Sequence, residues 1–235
     1  MKANGLTRPF VRLAFVGTAS LLLALALSSC STSHVGRARL QLFNGKDLTG
    51  WSYVTADPQV GCEQVWSVSD GVITCQGTPV GAIYRGPAVT NFLLLVEYRW
   101  PPGSKPGNSG IFSRIQGEIK PLPPAIETQL QHGNAGDVLG LQGKRIAADQ
   151  PRFFEVKKHA LAGDIAGVKK LSDREKPPGE WNTVEILAQG PRYTVWLNRK
   201  LVNQVDGVET SSGLIGLQSE GGVIQFRRVI LVPLD

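Results

Sequence analysis

Short runs of β-branched, aromatic and aliphatic residues recur from Leu40 to the end of the chain, separated by Gly, Pro, Asn or Asp. Apolar and polar residues alternate within many of them, which is the period of a strand with one buried face. The runs are Leu40–Phe43, Trp51–Val54, Trp66–Val68, Val72–Cys75, Ala82–Arg85, Phe92–Trp100, Gly110–Ile115, Ile126–Gln131, Thr183–Gln189, Tyr193–Leu197, Leu201–Gln204, Leu214–Gln218 and Val223–Leu231. Strands at this spacing predict an all-β sandwich or barrel, built as one domain over residues 40–235.

Two segments leave more than one interpretation open. The stretch from Pro151 to Leu171 fits a short helix and an irregular hairpin equally well. Asp70-Gly71 forms a two-residue turn that places Trp66 opposite Cys75 in a hairpin. Cys62 would have to curl back to reach Cys75, so a disulfide between them and two buried free thiols are both compatible with the sequence.

The N-terminal residues have the pattern of an export signal. Positive charges at Lys2, Arg8 and Arg12 precede an apolar run that ends in Leu27-Ser28-Ser29-Cys30. This ending resembles the lipobox of bacterial lipoproteins, so residues 1–29 are the expected signal peptide and Cys30 the expected lipidated residue. A plain secretory signal or an uncleaved anchor are the alternatives.

The predicted cellular location follows from the interpretation of residues 1–30 as a lipoprotein signal. Residues 30–39 would form the lipidated cysteine and a polar tether, and acyl chains would hold the domain on a membrane through apolar burial. We therefore expect an extracytoplasmic protein that is lipid-anchored to a bacterial membrane, in the periplasm or at the cell surface.

Charge and motifs exclude several function classes. The formal charge of +6 falls to +3 when residues 1–29 are removed. The basic pairs Lys157-Lys158 and Lys169-Lys170 lack interleaved aromatics, so nucleic acid is not an expected partner. The chain has no Rossmann glycine pattern, P-loop or nucleophile elbow, and no spacing typical of metal ligands. No cofactor or metal is expected.

Strand alternation identifies the polar side chains that could line a cleft. In the run that begins at Ile126, the side chains of Glu127, Gln129 and Gln131 share one face and Ile126 and Leu130 the other. A solvated outer face explains any one such residue. As a set, however, the carboxylates and amides resemble the lining of concave sheets that bind sugars.

Three further residues join this set by the same reasoning. Arg114 stands opposite Ile111 and Ser113, and Gln218 and Glu220 alternate with Leu217. Among the histidines, His132 directly follows the Glu127 strand and is a candidate acid, base or sugar ligand, whereas His34 lies in the tether and His159 in a basic loop. The tryptophans are more typical of a sandwich core than of a sugar platform.

Several sequence blocks, in order along the chain, resemble the 3-keto-disaccharide hydrolase domain family of exported bacterial proteins. The blocks are Leu42–Trp51, Val68–Ile73, Asn108–Arg114, Ile126–Leu130, Gly133–Asp137, Gly179–Asn182, Gly216–Gly221 and Phe226–Arg227. The resemblance implies a concanavalin A-like jelly-roll sandwich with its site on the concave sheet. It also implies 3-keto-glycoside substrates, which a separate nicotinamide-dependent oxidoreductase would supply.

A 3-keto sugar suggests a specific chemistry. The C3 carbonyl acidifies the C2 proton, so a base can remove that proton, the aglycone can leave from C1, and water can add to the enone. We assign Glu127 as base, His132 or Glu220 as acid, and Asn108, Arg114 and Gln129 as donors to the enolate and ring hydroxyls.

Gln218 joins the predicted sugar-binding residues, and Asp137 either binds sugar or caps its turn. These roles rest on motif position and strand alternation. The same sandwich fold also serves lectins and carbohydrate-binding modules, so a non-catalytic surface lipoprotein that binds glycans is the alternative function.

Overall fold

The computed structural model describes residues 38–235; the predicted signal peptide, Cys30 and most of the tether lie outside this range. The strands are β1 (Leu40–Gln41), β2 (Ser52–Thr55), β3 (Trp66–Ser69), β4 (Val72–Cys75), β5 (Gly81–Val89), β6 (Phe92–Arg99), β7 (Gly110–Ile115), β8 (Ile126–Gln129), β9 (Val138–Gly140), β10 (Phe153–His159), β11 (Gly163–Val168), β12 (Asn182–Gln189), β13 (Arg192–Leu197), β14 (Lys200–Val205), β15 (Gly213–Ser219) and β16 (Ile224–Pro233). One helical turn, α1 (Cys62–Val65), precedes β3.

The strands form two antiparallel eight-stranded sheets. The first sheet has the order β14-β13-β12-β6-β16-β4-β3, with β1 paired to β16. The second sheet has the order β10-β11-β9-β8-β7-β15-β5-β2. This confirms the predicted all-β jelly-roll sandwich.

The main core lies between the sheets and follows the predicted alternation. Ile111 of β7 and Leu217 of β15 point into it, and Tyr193 of β13 reaches across from the first sheet. The Tyr193 hydroxyl lies 3.0 Å from both Ser113 Oγ and Thr128 Oγ1, which satisfies these buried polar groups. The opposite faces of β7, β8 and β15 therefore point away from this core.

A second apolar cluster covers part of that opposite face. It includes Phe112, Leu122, Leu139, Leu141 and Ala162, contributed by β7, β9 and the loops that fold over them. Since this cluster shields the second sheet from water, polar side chains beside it are also buried. The candidate site lies there.

The structure settles the segments that the sequence left open. Residues 151–171 contain the hairpin of β10 and β11 and no helix, and Trp66 pairs with Cys75 across the β3–β4 hairpin as the turn predicts. Within the described residues Cys62 and Cys75 are free thiols, but only Cys75 is buried, so the alternative of two buried thiols is correct for Cys75 and wrong in the burial of Cys62. Strand β9 was not predicted, because its residues follow the Gly-rich loop 133–137 without a run of their own.

Candidate functional site

Three neighbouring strands of the second sheet bring the polar side chains of the site together. Phe112 of β7 pairs with Glu127 of β8 on one side and with Gly216 of β15 on the other, so Glu127 and Gln218 share its face. Asn108 precedes β7 and Glu220 follows β15. All four belong to the sequence-predicted set.

These side chains line a cavity of about 150 Å³. Its wall is part polar and part aliphatic, and it consists of Asn108, Leu122, Glu127, Gln129, Leu139, Leu141, His159, Ala162, Ile165, Gln218 and Glu220. A cavity with an apolar wall and a few convergent polar groups is the usual form of a small-molecule site.

Glu220 is held by two amide donors. Asn108 Nδ2 donates to Glu220 Oε2 at 2.8 Å, and Gln218 Nε2 donates to the same oxygen at 2.7 Å. Burial raises the pKa of the Glu220 carboxyl, and the hydrogen bond from Gln218 opposes that rise. The two donors therefore favour the ionised form of Glu220 over that of its neighbour Glu127.

Glu127 is in a different environment, although it lines the same cavity. It is 3% exposed, and its Oε1 atom has no hydrogen-bond partner among residues 38–235. Burial raises the pKa of Glu127 well above its ordinary value, and the negative charge of Glu220 raises it further. Glu127 is thus the group of the pair that keeps its proton.

The absence of a side chain at residue 110 makes room for Glu127. A Cβ atom added to Gly110 would clash with Oε1, Cδ and Cγ of Glu127. Gly110 lies in β7, between the strands that carry the two glutamates. The glycine therefore allows the Glu127 carboxyl to lie across β7 beside the cavity.

Three buried oxygen atoms of the cavity wall have no hydrogen-bond partner within residues 38–235. They are Asn108 Oδ1, Gln218 Oε1 and Glu127 Oε1. Buried polar atoms normally have partners, so unpaired acceptors that line a cavity favour a ligand that brings its own donors. Sugar hydroxyl groups are such donors.

Gln129 lies beside this group with its amide oxygen already used. Its Oε1 accepts the backbone N–H groups of Leu130 and Gln131 at 2.9 and 2.8 Å. The amide nitrogen of a glutamine fixed in this way is left to donate. The donor role of Gln129 stays a prediction.

Arg114 is placed elsewhere, which differs from the sequence-based expectation. Its guanidinium donates to the backbone oxygens of Thr90, Gly190 and Glu209 at 2.8 to 3.2 Å. Its φ is +53°, and the register of β7 against β15 shifts at this point, so a β-bulge interrupts the alternation on which the prediction relied. The side chain holds loops together and does not line the cavity.

His132 and Asp137 also make structural contacts outside the cavity. His132 Nδ1 lies 2.9 Å from Glu175 Oε2, while Oε1 of that carboxylate accepts hydrogen bonds from the Tyr98 hydroxyl and Trp100 Nε1. The geometry gives His132 no contact with the glutamate pair. Asp137 is buried and holds Lys169 Nζ, at 2.8 Å, and a backbone N–H; this matches a loop-fixing role and not a sugar contact.

Sequence reasoning missed His159, which does line the cavity. It was assigned to a basic loop, whereas it ends β10 and is brought over the second sheet by the β10–β11 hairpin. Of the two sequence alternatives for residues 151–171, only the hairpin is compatible with His159 at the cavity. The five tryptophans, all within residues 38–235, are absent from the cavity wall. Trp66 and Trp100 lie in the core and Trp51 packs against it, as predicted, whereas Trp181 and Trp196 lie outside both apolar clusters.

Two kinds of feature are absent from the described residues. In residues 38–235 we find no group of three or more His, Cys, Asp and Glu side chains arranged to hold a metal ion. The same part of the chain contains no helix with the length and hydropathy of a membrane span.

Comparison with known proteins identifies the family. Residues 39–231 match the family model of the 3-keto-α-glucoside-1,2-lyase-like domain. The match covers most of the chain, so the protein belongs to this family. No curated protein matches the chain.

Solved structures show the same fold at low sequence identity. Two crystal structures from Parabacteroides distasonis, each named "putative glycosyl hydrolase", align with TM-scores of 0.60 and 0.57 at 22% and 23% identity; each covers 84% of this chain, and the alignments cover 94% and 100% of those chains. A carbohydrate-binding module of Bacillus subtilis aligns with a TM-score of 0.53 at 16% identity over 78% of this chain and 96% of its own. At these identities the likeness establishes the fold. Family membership supports a glycoside-hydrolase-like or carbohydrate-binding role.

Proposed function

We propose that this protein cleaves the glycosidic bond of 3-keto-glycosides by elimination. The observation that carries the proposal is the pair Glu127 and Glu220, one buried and one partly buried carboxyl group that line one cavity in unlike environments. Pairs whose surroundings separate their proton affinities are typical of acid and base partners. The family description supports the 3-keto substrate class.

The hydrogen bonds determine which glutamate takes which role. Glu220 accepts two amide N–H groups, which stabilise a carboxylate, whereas Glu127 is buried without such donors in the described residues and is stable as a neutral acid. We therefore assign Glu220 as the base and Glu127 as the acid. This exchanges the roles of Glu127 and Glu220 that motif position and strand alternation indicated.

Elimination then proceeds with balanced proton transfers. Glu220 takes the proton from C2, and the C–H electron pair forms an enolate with the C3 carbonyl. When the carbonyl re-forms, a double bond forms between C1 and C2 and the bond from C1 to the aglycone oxygen breaks. Glu127 donates its proton to that leaving oxygen.

The state of the pair after elimination is suited to hydration of the enone. Glu127 is now ionised and can take a proton from water as the water oxygen bonds to C1, while Glu220 returns its proton to C2. Both glutamates regain their starting protonation. The unpaired oxygens of Asn108 and Gln218 accept hydrogen bonds from the ring hydroxyls during both steps.

The experiment compares matched substrates. The purified protein is incubated with a phenolic glucoside and with its 3-keto derivative, and aglycone release is followed by chromatography. We expect release from the keto compound alone. Release from the parent glucoside would indicate ordinary glycoside hydrolysis and would contradict the proposal. Ordinary glycoside hydrolases also use a pair of carboxyl groups, so this control is needed.

A second candidate function is carbohydrate binding without catalysis. The unpaired oxygens of the cavity suit sugar hydroxyls whether or not a bond is broken. If neither substrate releases its aglycone while calorimetry detects binding of the parent sugar, this candidate replaces the enzyme.

The cellular setting is part of the proposal. We place the protein outside the cytoplasm, lipid-anchored at Cys30, and supplied with substrate by an enzyme that oxidises the sugar at C3. A Cys30→Ser variant should then lose incorporation of labelled fatty acid in a bacterial host. Equal labelling of the variant and the parent protein would contradict the anchor.

A further inference from the structure

His159 lies at the edge of the cavity, on a turn with unusual backbone geometry. It ends β10 and pairs with Gly163 of β11, and the register of the hairpin shifts between Val156 and His159. The preceding residue, Lys158, has φ of +54°, and its backbone N–H donates to Asp164 Oδ1 at 2.9 Å. At this irregular turn of the second sheet, His159 forms part of the cavity wall.

The turn also determines which ring nitrogen carries the proton. His159 Nδ1 accepts the backbone N–H of Ala162 at 3.1 Å and lies 3.4 Å from the N–H of Leu161. A nitrogen that accepts these bonds is unprotonated, so the neutral ring carries its proton on Nε2. His159 thus presents an N–H donor away from its own turn.

Gln142 holds the turn against the sheet. Its Nε2 donates to the backbone oxygens of Leu161 at 2.6 Å and Leu122 at 3.0 Å, and its own N–H donates to the oxygen of Ala162 at 2.7 Å. These bonds connect the hairpin to two other segments that line the cavity. The imidazole is therefore carried by a fixed backbone, although the residue itself is exposed.

The chemistry of a ketone explains why such a donor is needed. A carbonyl oxygen at C3 can only accept hydrogen bonds, whereas Asn108 and Gln218 present unpaired oxygens and Glu220 is itself an acceptor. Gln129 and His159 both line the cavity, and each has a side-chain N–H that its own turn leaves free to donate. An enolate oxygen, which develops negative charge during elimination, is stabilised by donors fixed in place beforehand.

We propose that His159 is a catalytic residue whose Nε2–H binds the C3 oxygen of the sugar and stabilises the enolate, with Gln129 as the second donor. This inference rests on the proposed function for the identity of the substrate. It assigns a role to a residue outside the sequence-predicted set.

Two substitutions separate a catalytic role from a structural one. In His159→Asn, the amide oxygen can still accept the Ala162 N–H, but the side chain ends short of the Nε2 position. We expect turnover of a 3-keto glucoside to fall about 10² to 10³-fold, the usual loss for one oxyanion donor, with an unchanged melting temperature. In His159→Gln, the longer amide reaches toward the Nε2 position, and we expect it to regain at least about tenfold over Asn.

His132→Asn is the matched control. His132 contacts Glu175 and not the cavity, so turnover should stay close to that of the parent protein. If His159→Asn keeps half or more of the parent turnover while the parent protein is active, the role of His159 is wrong and the proposed function still stands.

Nitrogen NMR of the histidine rings gives a result that does not depend on turnover. We expect the resonances of His159 to show a proton on Nε2, with His132 as the contrasting ring that donates from Nδ1. A 3-keto glucoside should shift the His159 Nε2 resonance more than the parent glucoside does. If the protein proves inactive on both sugars, this differential shift still supports the contact with the C3 oxygen. An unmoved Nε2 resonance, or a proton on Nδ1, would overturn it.

Discussion

Glu97 and Glu127 are both nearly buried glutamates on outward faces of the sandwich, one on each sheet, and their surroundings are opposite. Glu97, on β6, is 6% exposed and accepts Arg227 Nε at 2.5 Å and Arg228 Nη1 at 3.0 Å. Glu127, on β8, is 3% exposed, has no such cation in the described residues, and faces a cavity and a second carboxyl group.

The comparison shows how one residue type serves structure in one place and chemistry in the other. Two guanidinium groups pair with the Glu97 carboxylate through charge-assisted hydrogen bonds, and Glu97 does not line the cavity. Burial without a cation keeps the proton on Glu127, where it can be transferred to a leaving group. Burial alone therefore does not show whether a glutamate has a structural or a catalytic role; the groups that contact its carboxyl are needed as well.

The largest expected effect is on turnover. Glu127→Gln and Glu220→Gln each remove one proton-transfer group, so kcat on a 3-keto glucoside should fall by about 10² to 10⁴-fold. Glu97→Gln, the matched change in the other sheet, should leave kcat within about twofold, because it touches no group of the cavity. Steady-state kinetics on the three variants test this. Comparable losses of kcat in all three variants would contradict the assignment of catalytic roles to Glu127 and Glu220 and of a structural role to Glu97.

Gly110→Ala should have the next largest effect, because the added methyl group occupies the position of the Glu127 carboxyl. We expect kcat to fall by about 10 to 10²-fold through displacement of the acid. In a double-mutant cycle, Gly110→Ala should cost little more in the Glu127→Gln background. Full additivity would show that Gly110 acts independently of Glu127.

For stability, the order of the two glutamates is reversed: Glu97→Gln should destabilise the protein more than Glu127→Gln. Glu97→Gln loses two charge-assisted hydrogen bonds to arginines that are about half exposed, so the free energy of unfolding should fall by about 1 to 2 kcal/mol. Glu127→Gln should not lower it, since the carboxyl it replaces has an unpaired buried oxygen. Urea unfolding of the two variants measures both values. A larger loss for Glu127→Gln would contradict the environment described for Glu127.

The smallest effect is a pH dependence. The folded protein holds the Glu127 proton to higher pH than the unfolded chain does, where the pKa is close to the ordinary 4.5. The stabilising effect of this proton is therefore complete below pH 4.5 and is lost as the pH rises through the raised pKa of the folded state. Glu127→Gln should become steadily more stable relative to the parent as pH rises above 4.5. A constant difference across that range would show that Glu127 is not protonated in the fold.

Strand alternation predicted which side chains share a face where the strands are regular. Glu127, Gln129 and Gln218 share the face that their spacing indicates, because β8 and β15 keep their period through these positions. Asn108 and Glu220 lie where the sequence blocks begin or end. The facing of Glu127, Gln129 and Gln218 follows from the local alternation of polar and apolar residues, and a single sequence is enough to show that alternation.

The remaining placements depend on interactions between distant segments. Arg114 lies in a β-bulge, where one extra residue turns the following side chains to the opposite face of the sheet. No pattern of residues in the sequence predicts that bulge. His132 follows the correct strand but turns away to Glu175, which is distant in sequence. His159 enters the cavity through a hairpin fixed by Gln142, a tertiary contact that periodicity does not contain.

The most direct test of the account follows the hydrogen at C2. Release of the aglycone is compared, in one reaction mixture with the parent protein, for a 3-keto glucoside with hydrogen at C2 and for the same compound with deuterium there. Elimination requires Glu220 to break the bond from C2 to hydrogen before the aglycone leaves, so we predict slower release from the deuterated compound. Equal release from both compounds would contradict the elimination mechanism.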